Sequence, residues 1–167
     1  RLVVNTTGSS LLREVVSFRE WEARPRFADA HLLGAGSVAY AAFEGVSGNP
    51  NLSDLAAESY RILAKDEALR RSVFSAEAQA IDIGQGCGAL TFPMPDDRLS
   101  ALAAGLAQTV CSTLGRDEAP THGNLHVGHI LPDGLSQSWT SAEIEPRILV
   151  RSGAVEVRIS PRVDSQI

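Results

Sequence analysis

The sequence predicts an α+β fold, with one compact domain over residues 1–167 in which several helices pack on a small, mostly antiparallel sheet. Two observations predict this class. Amphipathic helical periodicity recurs through the middle of the chain, and two alternating apolar segments stand at its end as a C-terminal β-hairpin. Strand and helix patterns do not alternate regularly enough for a doubly wound parallel sheet, which leaves α+β as the expected class.

Three segments carry helix signals. The first helix is expected to be capped by Ser9 or Ser10 and to end at Pro25, because apolar residues recur at helical spacing between charged ones from Leu11 onward. The second is expected after Asn51 or Ser53, both of which are good N-cap residues. The clearest helix is expected to be capped by Asp96 and to end before Gly115, which stands where a C-terminal glycine is preferred.

Strand signals are weaker in the first half of the chain. Residues 2–4 predict a short strand, and residues 37–43 favour a buried strand bracketed by glycines. Residues 29–33 are compatible with a helical turn. The segments 80–83 and 89–92 predict a strand pair around a glycine-rich turn.

The end of the chain predicts a hairpin. The segment 148–150 is continuously apolar and the segment 155–159 alternates apolar and charged residues, and a turn at Ser152 and Gly153 joins them. The alternation in the second strand predicts that its valines are buried, whereas Glu156 and Arg158 face solvent.

Composition excludes several classes of protein. Of the 167 residues, 44% are hydrophobic and 21% are charged, which is typical of a globular chain with a sizeable core. The acidic net charge of −5 repels phosphate backbones, so a nucleic-acid partner is not supported by charge. No apolar run is long enough to span a membrane, and no signal peptide is visible, so we expect no membrane partner and an intracellular or virion-like location. The start at Arg1 is compatible with a fragment of a longer polypeptide.

The two cysteines are too few for a disulfide framework. Cys111 lies within an apolar helical pattern and is expected to be a small buried hydrophobe. Cys87 lies in the glycine-rich turn 84–88, which is interpreted as a hairpin turn or as a cradle for an anion. The sequence leaves open whether the two cysteines pair.

Residues 115–136 are rich in glycine, proline and aspartate and predict a long loop, of the kind that is often functional. This segment contains three of the four histidines, His122, His126 and His129. Three interpretations of these histidines compete.

The first interpretation is a metal site. His122, His126 and His129 are spaced i, i+4 and i+7, and on a helix these positions share one face. Three imidazoles can fill three of the four coordination positions of zinc, which is the cofactor that this spacing suggests. The fourth ligand would come from one of three nearby carboxylates, Asp117, Glu118 or Asp133.

The second interpretation is a nucleotide site. Residues 123–129 resemble the signature of class I aminoacyl-tRNA synthetases and related nucleotidyltransferases, in which a loop presents His-x-Gly-His. His126, Gly128 and His129 are the matching positions, within a resemblance of about ten residues. The resemblance implies that the two histidines stabilise the phosphate of ATP and that the glycine lets the backbone approach it.

The third interpretation is structural, and the composition favours it. Histidines in a segment rich in glycine and proline often satisfy loop carbonyls or contact a neighbouring subunit. His31, which is adjacent to two leucines, is expected to be a half-buried, hydrogen-bonded residue of the same kind.

We therefore expect a non-catalytic structural or assembly domain, with protein partners or self-association. It would be a self-associating subunit or part of a multi-copy shell such as a viral capsid. The alternative is a metal-dependent or nucleotide-using enzyme centred on His122, His126 and His129. No catalytic residue is identified by the sequence.

Overall fold

The computed structural model describes most of the chain, namely residues 1–34, 36–74, 96–115, 120–134, 136–153 and 155–161, with the backbone of two short strands at 81–82 and 90–91. Cys87, the turn 84–88 and the two carboxylates Asp117 and Glu118 lie outside the described residues.

The described chain contains nine strands and four helices. In chain order the strands are β1 (Leu2–Asn5), β2 (Arg26–Leu33), β3 (Val38–Phe43), β4 (Ile81–Asp82), β5 (Leu90–Thr91), β6 (Gly123–Ile130), β7 (Gln137–Ile144), β8 (Ile148–Ser152) and β9 (Val155–Ile159). The helices are α1 (Ser10–Phe18), α2 (Leu52–Lys65), α3 (Glu67–Phe74) and α4 (Asp96–Leu114).

A five-stranded sheet with the order β1-β2-β3-β6-β7 forms the centre of the fold. β1 is parallel to β2, and every other neighbouring pair in this sheet is antiparallel. β4 pairs with β5, and β8 pairs with β9 as a separate two-stranded hairpin. The predicted α+β class, with a mostly antiparallel sheet and a C-terminal hairpin, is confirmed.

Helices cover both faces of the sheet, and β3 therefore has to be apolar on both sides. All six residues of β3 are buried. Tyr40 and Ala42 pack in the same core cluster as residues of α1 and α2, whereas Ala39 and Phe43 pack against Leu102 of α4. A strand buried on both faces shows no polar–apolar alternation, which is the pattern seen in residues 38–43.

Two segments differ from the sequence prediction. Residues 29–33 belong to strand β2 and are not a helical turn. The predicted long loop over residues 115–136 is wrong, because it contains the eight residues of β6. β6 pairs with β3 and β7 on its two sides, and these two ladders hold it as a strand in spite of its glycine and histidine content.

α4 is found where it is predicted, but one of its residues that is predicted to be buried is exposed. It ends at Leu114, and Gly115 follows it as expected. Leu102 and Leu106 are buried against the sheet. The prediction that Cys111 is buried is wrong, because this residue lies on the exposed side of the helix. Among the described residues no helix is both long and apolar enough to cross a membrane.

The carboxylate of Glu44 joins the end of β3 to two other elements. Glu44 is fully buried, and one of its oxygens accepts hydrogen bonds from Arg24 at 2.6 Å and from the backbone N–H of Leu52 at 3.2 Å. Its other oxygen accepts from the backbone N–H of Phe27 at 3.1 Å. Burial raises the pKa of Glu44, although Arg24 opposes that shift. The Glu44 carboxylate is therefore a structural anchor, because it ties the end of β3 to β2 and to the start of α2.

The indole ring of Trp139 on β7 packs over two glycines that leave room for it. Gly105 on α4 and Gly128 on β6 both contact this ring, and a β-carbon at position 128 would lie 2.6 Å from Trp139 Cε2. Real β-carbons do not approach other atoms so closely, and the indole lies against both glycines while its N–H donates a hydrogen bond to Gln137 at 3.0 Å. Gly128 therefore has a packing role in this fold.

We predict that Gly128→Ala lowers the free energy of unfolding by about 1–3 kcal/mol, because the added methyl group overpacks the contact with Trp139. Urea denaturation measures this change. Gly115→Ala is the matched control, since a β-carbon there meets its nearest atom at 3.7 Å, and it should change stability by less than about 0.5 kcal/mol. Equal stability of the two variants would contradict the packing role.

Candidate functional site

The three histidines of the predicted site lie on and beside strand β6. His122 immediately precedes the strand, and His126 and His129 are within it. Successive side chains of a strand point to opposite faces, so His126 and His129 lie on different faces of the sheet. His126 contacts Phe43 on the α4 face, at 5.9 Å between ring centroids. The i, i+4, i+7 spacing therefore does not bring the three imidazoles together on one helical face.

Two of these histidines have polar partners close by. His126 Nδ1 lies 2.8 Å from the hydroxyl of Ser141. His122 Nε2 lies 3.2 Å from a carboxylate oxygen of Glu145, and its Nδ1 lies 3.1 Å from the hydroxyl of Thr121. Over the part of the chain that the structure describes, no three His, Cys, Asp or Glu side chains are grouped as a metal site would require. The zinc hypothesis remains a prediction from the sequence.

The resemblance to the nucleotide signature has a structural counterpart that differs from the family pattern. Its glycine, Gly128, lies inside a central strand against Trp139. The signature belongs to a loop in which the glycine lets a phosphate approach. At this position a neighbouring indole ring occupies that space.

A buried polar cluster holds α1 against the sheet. Asp29 on β2 is fully buried and accepts hydrogen bonds from Asn5 at 2.6 Å and from Arg13 Nε at 3.0 Å. Burial works against the charge of Arg13, but Asp29 outweighs it and the pKa of Arg13 is raised. The carboxylate is thus neutralised by a partner from α1 and fixed by an amide from β1.

His31 and Tyr40 form the rest of this cluster. Their rings lie 4.9 Å apart between centroids, and both line a small cleft of about 10 Å³ together with Arg13 and Ser59. Burial lowers the pKa of His31, and the negative charge of Asp29 opposes part of that shift. Burial raises the pKa of Tyr40. A cleft of this volume accommodates about one water molecule.

A second polar cluster attaches the C-terminal hairpin to α2. Arg158 on β9 makes a bidentate contact with Asp54, with the shorter distance 2.7 Å. Arg147, whose side chain is 7% exposed, donates to Glu58 at 2.8 Å. Burial by itself raises the pKa of Glu58, but hydrogen bonds from Arg61 and Arg147 outweigh it and lower that pKa. The hairpin is held by these charged contacts and shares no strand pairing with the main sheet among the described residues.

The hairpin consequently presents its apolar side to solvent. The register of β8 and β9 places five β-branched residues on one face, here called the hairpin face: Ile148, Val150, Val155, Val157 and Ile159. These side chains are between 46% and 61% exposed. The sequence prediction was wrong at this point, because the valines are exposed whereas the Arg158 side chain is only 16% exposed.

α1 also has an apolar row that faces solvent, although its periodicity predicts that this row faces the core. Leu11, Val15 and Phe18 recur at i, i+4 and i+7 and form one row on the helix, here called the α1 stripe. They are 49% to 73% exposed. The buried residues of α1 are Val16, which packs in the core, and Ser17, and on the same side of the helix Arg13 reaches Asp29.

These two surfaces account for most of the exposed large hydrophobic side chains in the described residues. Eight of the fifteen such side chains belong to the α1 stripe or the hairpin face, and Leu12 and Leu149 are two more on the same elements. Scattered exposed apolar residues are normal on a soluble protein, whereas contiguous apolar faces mark interaction sites. The sequence predicts both elements, but its periodicity indicates that their apolar rows belong to the core. The signal for the opposite orientation is an arginine on the side opposite each apolar row. Arg13 finds the buried carboxylate of Asp29, and Arg158 finds the partly buried carboxylate of Asp54.

Comparison with known proteins provides no further indication of the function. No protein-family model matches the chain, and the search of curated proteins found no match. The surfaces and clusters described above are therefore the basis for the functional proposal.

We predict that acid destabilises the protein through His31. Its pKa in the folded state lies below that of the unfolded chain, which is about 6.5. The unfolded state therefore binds the proton first, so the stability from neutral His31 is fully present above about pH 6.5 and is lost as the pH falls below it. The groups that face His31 are Arg13, Asp29, Tyr40 and Tyr60.

The measurement is the free energy of unfolding from pH 7.5 to pH 5, by denaturant titration, for the natural chain and for His31→Gln. The glutamine side chain does not titrate, so the variant should lose less stability over this range. Because all other titrating groups are shared, parallel pH profiles for the two proteins would show that His31 is not responsible.

Proposed function

We propose that this chain is a non-catalytic assembly domain that self-associates through its exposed apolar surfaces, chiefly the hairpin face. The observation that carries the proposal is the orientation of the hairpin. Its charged side is bound to α2 by Arg158 and Asp54, while five β-branched side chains on its other side face solvent.

The energetics of a small hairpin support this proposal. A two-stranded hairpin is marginally stable in water on its own, and it normally needs further strands or a helix over its apolar face. β8 and β9 pair only with each other among the described strands. Each half-exposed side chain of the hairpin face would gain stabilisation from burial, at about 25 cal/mol for each Å² of apolar surface removed from water.

The distribution of charge favours a protein surface as the partner. Around the hairpin, Arg158 is paired with Asp54, Arg147 with Glu58 and Arg151 with Glu156. Charged groups that are already paired within one chain leave little net charge for binding an ionic ligand. An apolar face bordered by neutralised pairs is instead suited to another apolar protein surface.

The expected multi-copy shell, of which a viral capsid is one version, is an extended form of the same proposal. A dimer closed by a two-fold axis and a larger assembly use different symmetry but the same kind of surface. The mass of the assembled protein distinguishes them.

We predict that Val157→Lys weakens self-association by at least about thirtyfold in Kd, because it places a charge in the centre of the hairpin face. Sedimentation velocity over a series of concentrations measures the change. Val46→Lys is the matched control. Val46 and Val157 are both 49% exposed, and Val46 belongs to neither apolar surface, so the control should assemble like the natural chain.

A second variant separates loss of contact from loss of the hairpin itself. Val157→Thr keeps the β-branched shape that strands favour while removing apolar surface, and it should weaken association with unchanged circular dichroism. A natural chain that stays monomeric at all concentrations would refute the proposal, as would equal association by the Val157 variants and the Val46 control.

The enzyme alternative from the sequence has a separate test. Native mass spectrometry of protein purified without chelator would detect one zinc ion per chain if His122, His126 and His129 held a metal. Loss of that ion in His126→Ala would then favour the alternative. Metal-free protein with unchanged behaviour of the variant would remove the metal-dependent form of this alternative.

A further inference from the structure

The α1 stripe and the hairpin face are attached to two different flanks of α2. α1 contacts this helix through Ser17, whose hydroxyl accepts from the backbone N–H of Ser53 at 3.2 Å. The hairpin contacts it through Asp54 and Glu58. At 3.6 residues per turn these attachment points are separated by about a third of a turn around the helix axis. In one chain both surfaces remain about half exposed and are not covered by each other.

We infer that the α1 stripe of one copy packs on the hairpin face of the next copy, so that self-association is head-to-tail. This inference rests on the self-association proposed above and specifies its geometry. The occupant of the hairpin face is thus a second copy of the chain, which contributes Leu11, Val15 and Phe18.

The dimensions of the two surfaces match. α1 has nine residues and is therefore about 13 Å long. β8 and β9 have five residues each, which corresponds to about 17 Å. One helix lying along a two-stranded ribbon is the same layer arrangement, helix on sheet, by which the main sheet of this chain is covered.

The area is also sufficient for a specific contact. The α1 stripe contributes three large side chains and the hairpin face contributes five, each of them about half exposed or more. With their immediate surroundings, these surfaces would bury on the order of 1,000 Å² in total, which is near the lower limit for biological interfaces. Neither row itself contains a charged side chain, but the exposed Glu14 lies beside the α1 stripe, three residues after Leu11, and its carboxylate has to stay at the solvated edge of the contact.

Head-to-tail pairing explains more of the exposed surface than pairing of like with like. If two hairpin faces packed together, the α1 stripe would stay in contact with water in both copies. The heterologous contact covers both apolar surfaces with a single interface. It also gives each copy two neighbours, which leads to a ring or an open filament according to the rotation between copies.

The test uses three valines with the same exposure, Val15 on the α1 stripe, Val157 on the hairpin face and the control Val46, each 49% exposed. Each is changed to lysine. Sedimentation velocity and mass photometry give the assembly state of each variant alone and of an equimolar mixture of Val15→Lys and Val157→Lys. Circular dichroism and thermal denaturation confirm that each variant is folded.

The inference predicts that the natural chain and Val46→Lys form the same multi-copy species, whereas Val15→Lys and Val157→Lys are each monomeric. Mixed together, these two variants should form a heterodimer and no larger species. The Val15→Lys copy supplies an intact hairpin face, and the Val157→Lys copy supplies an intact α1 stripe. The two surfaces that remain in the heterodimer both carry a lysine, so no third copy can bind. Repeating the mixture with Val15→Thr and Val157→Thr, which change shape and charge less, should give the same pattern with weaker effects.

Other outcomes overturn the inference in distinguishable ways. If Val157→Lys is monomeric but Val15→Lys assembles like the natural chain, the hairpin face pairs with itself, and self-association stands without the head-to-tail geometry. If both variants are monomeric and their mixture stays monomeric, the two surfaces do not pair with each other. If the natural chain is monomeric throughout, the proposed function fails together with this inference.

Discussion

The packing of this fold depends on the first turn of α2, where side chains from three elements satisfy the backbone N–H groups that a helix leaves unpaired. The backbone N–H of Asn51 donates to the Asp54 side chain, and that of Leu52 donates to Glu44. The N–H of Ser53 donates to Ser17, and that of Asp54 donates to the Asn51 side chain. An unsatisfied buried N–H costs about 1–3 kcal/mol, so these acceptors together strongly favour this arrangement. They also bring the end of α1 and the end of β3 to a single point.

The same turn of α2 attaches the hairpin, and this attachment determines which surfaces remain exposed. Asp54 caps α2 and also binds Arg158. A strand that directs its arginine toward a helix must direct the two residues adjacent to that arginine away from the helix, because successive side chains point to opposite faces. α1 follows the same rule, because the residues two positions on either side of a buried Arg13 lie about 160° away around the helix. Polar anchoring therefore places the apolar rows of both elements outside.

Much of the fold could be predicted from the sequence, because the signals for it are local. The capping residue Asn51, the glycine after α4 and the alternation in β8 and β9 act over a few positions, and the structure has elements at all three places. β6 could not be found in this way. Its glycines and histidines favour a loop, and it is a strand because β3 and β7 pair with it from other parts of the chain.

The exposed surfaces could not be predicted for a related reason. Periodicity indicates that an element has an apolar side, but the side that faces the core is decided by tertiary contacts. For the hairpin that contact joins Asp54 to Arg158, 104 residues later in the chain. For α1 it joins Arg13 to Asp29, which lies in a segment whose sequence was compatible with a helical turn. An arginine opposite an apolar row is compatible with either orientation until its carboxylate partner is located.

The use of ion pairs as anchors has a consequence for the assembly. Arg13 and Arg158 have side chains only 11% and 16% exposed, and removing one partner of such a pair leaves a poorly solvated charge behind. Rotating α1 or turning the hairpin over to hide its apolar row inside the same chain would break these pairs, so within the described part of the chain these rows can be hidden only by losing the anchors. Association with another copy covers them and leaves the anchors intact. The specificity of the proposed contact would then come from the ion pairs inside each copy, which fix the orientation of the two surfaces, and its affinity from the apolar side chains between copies.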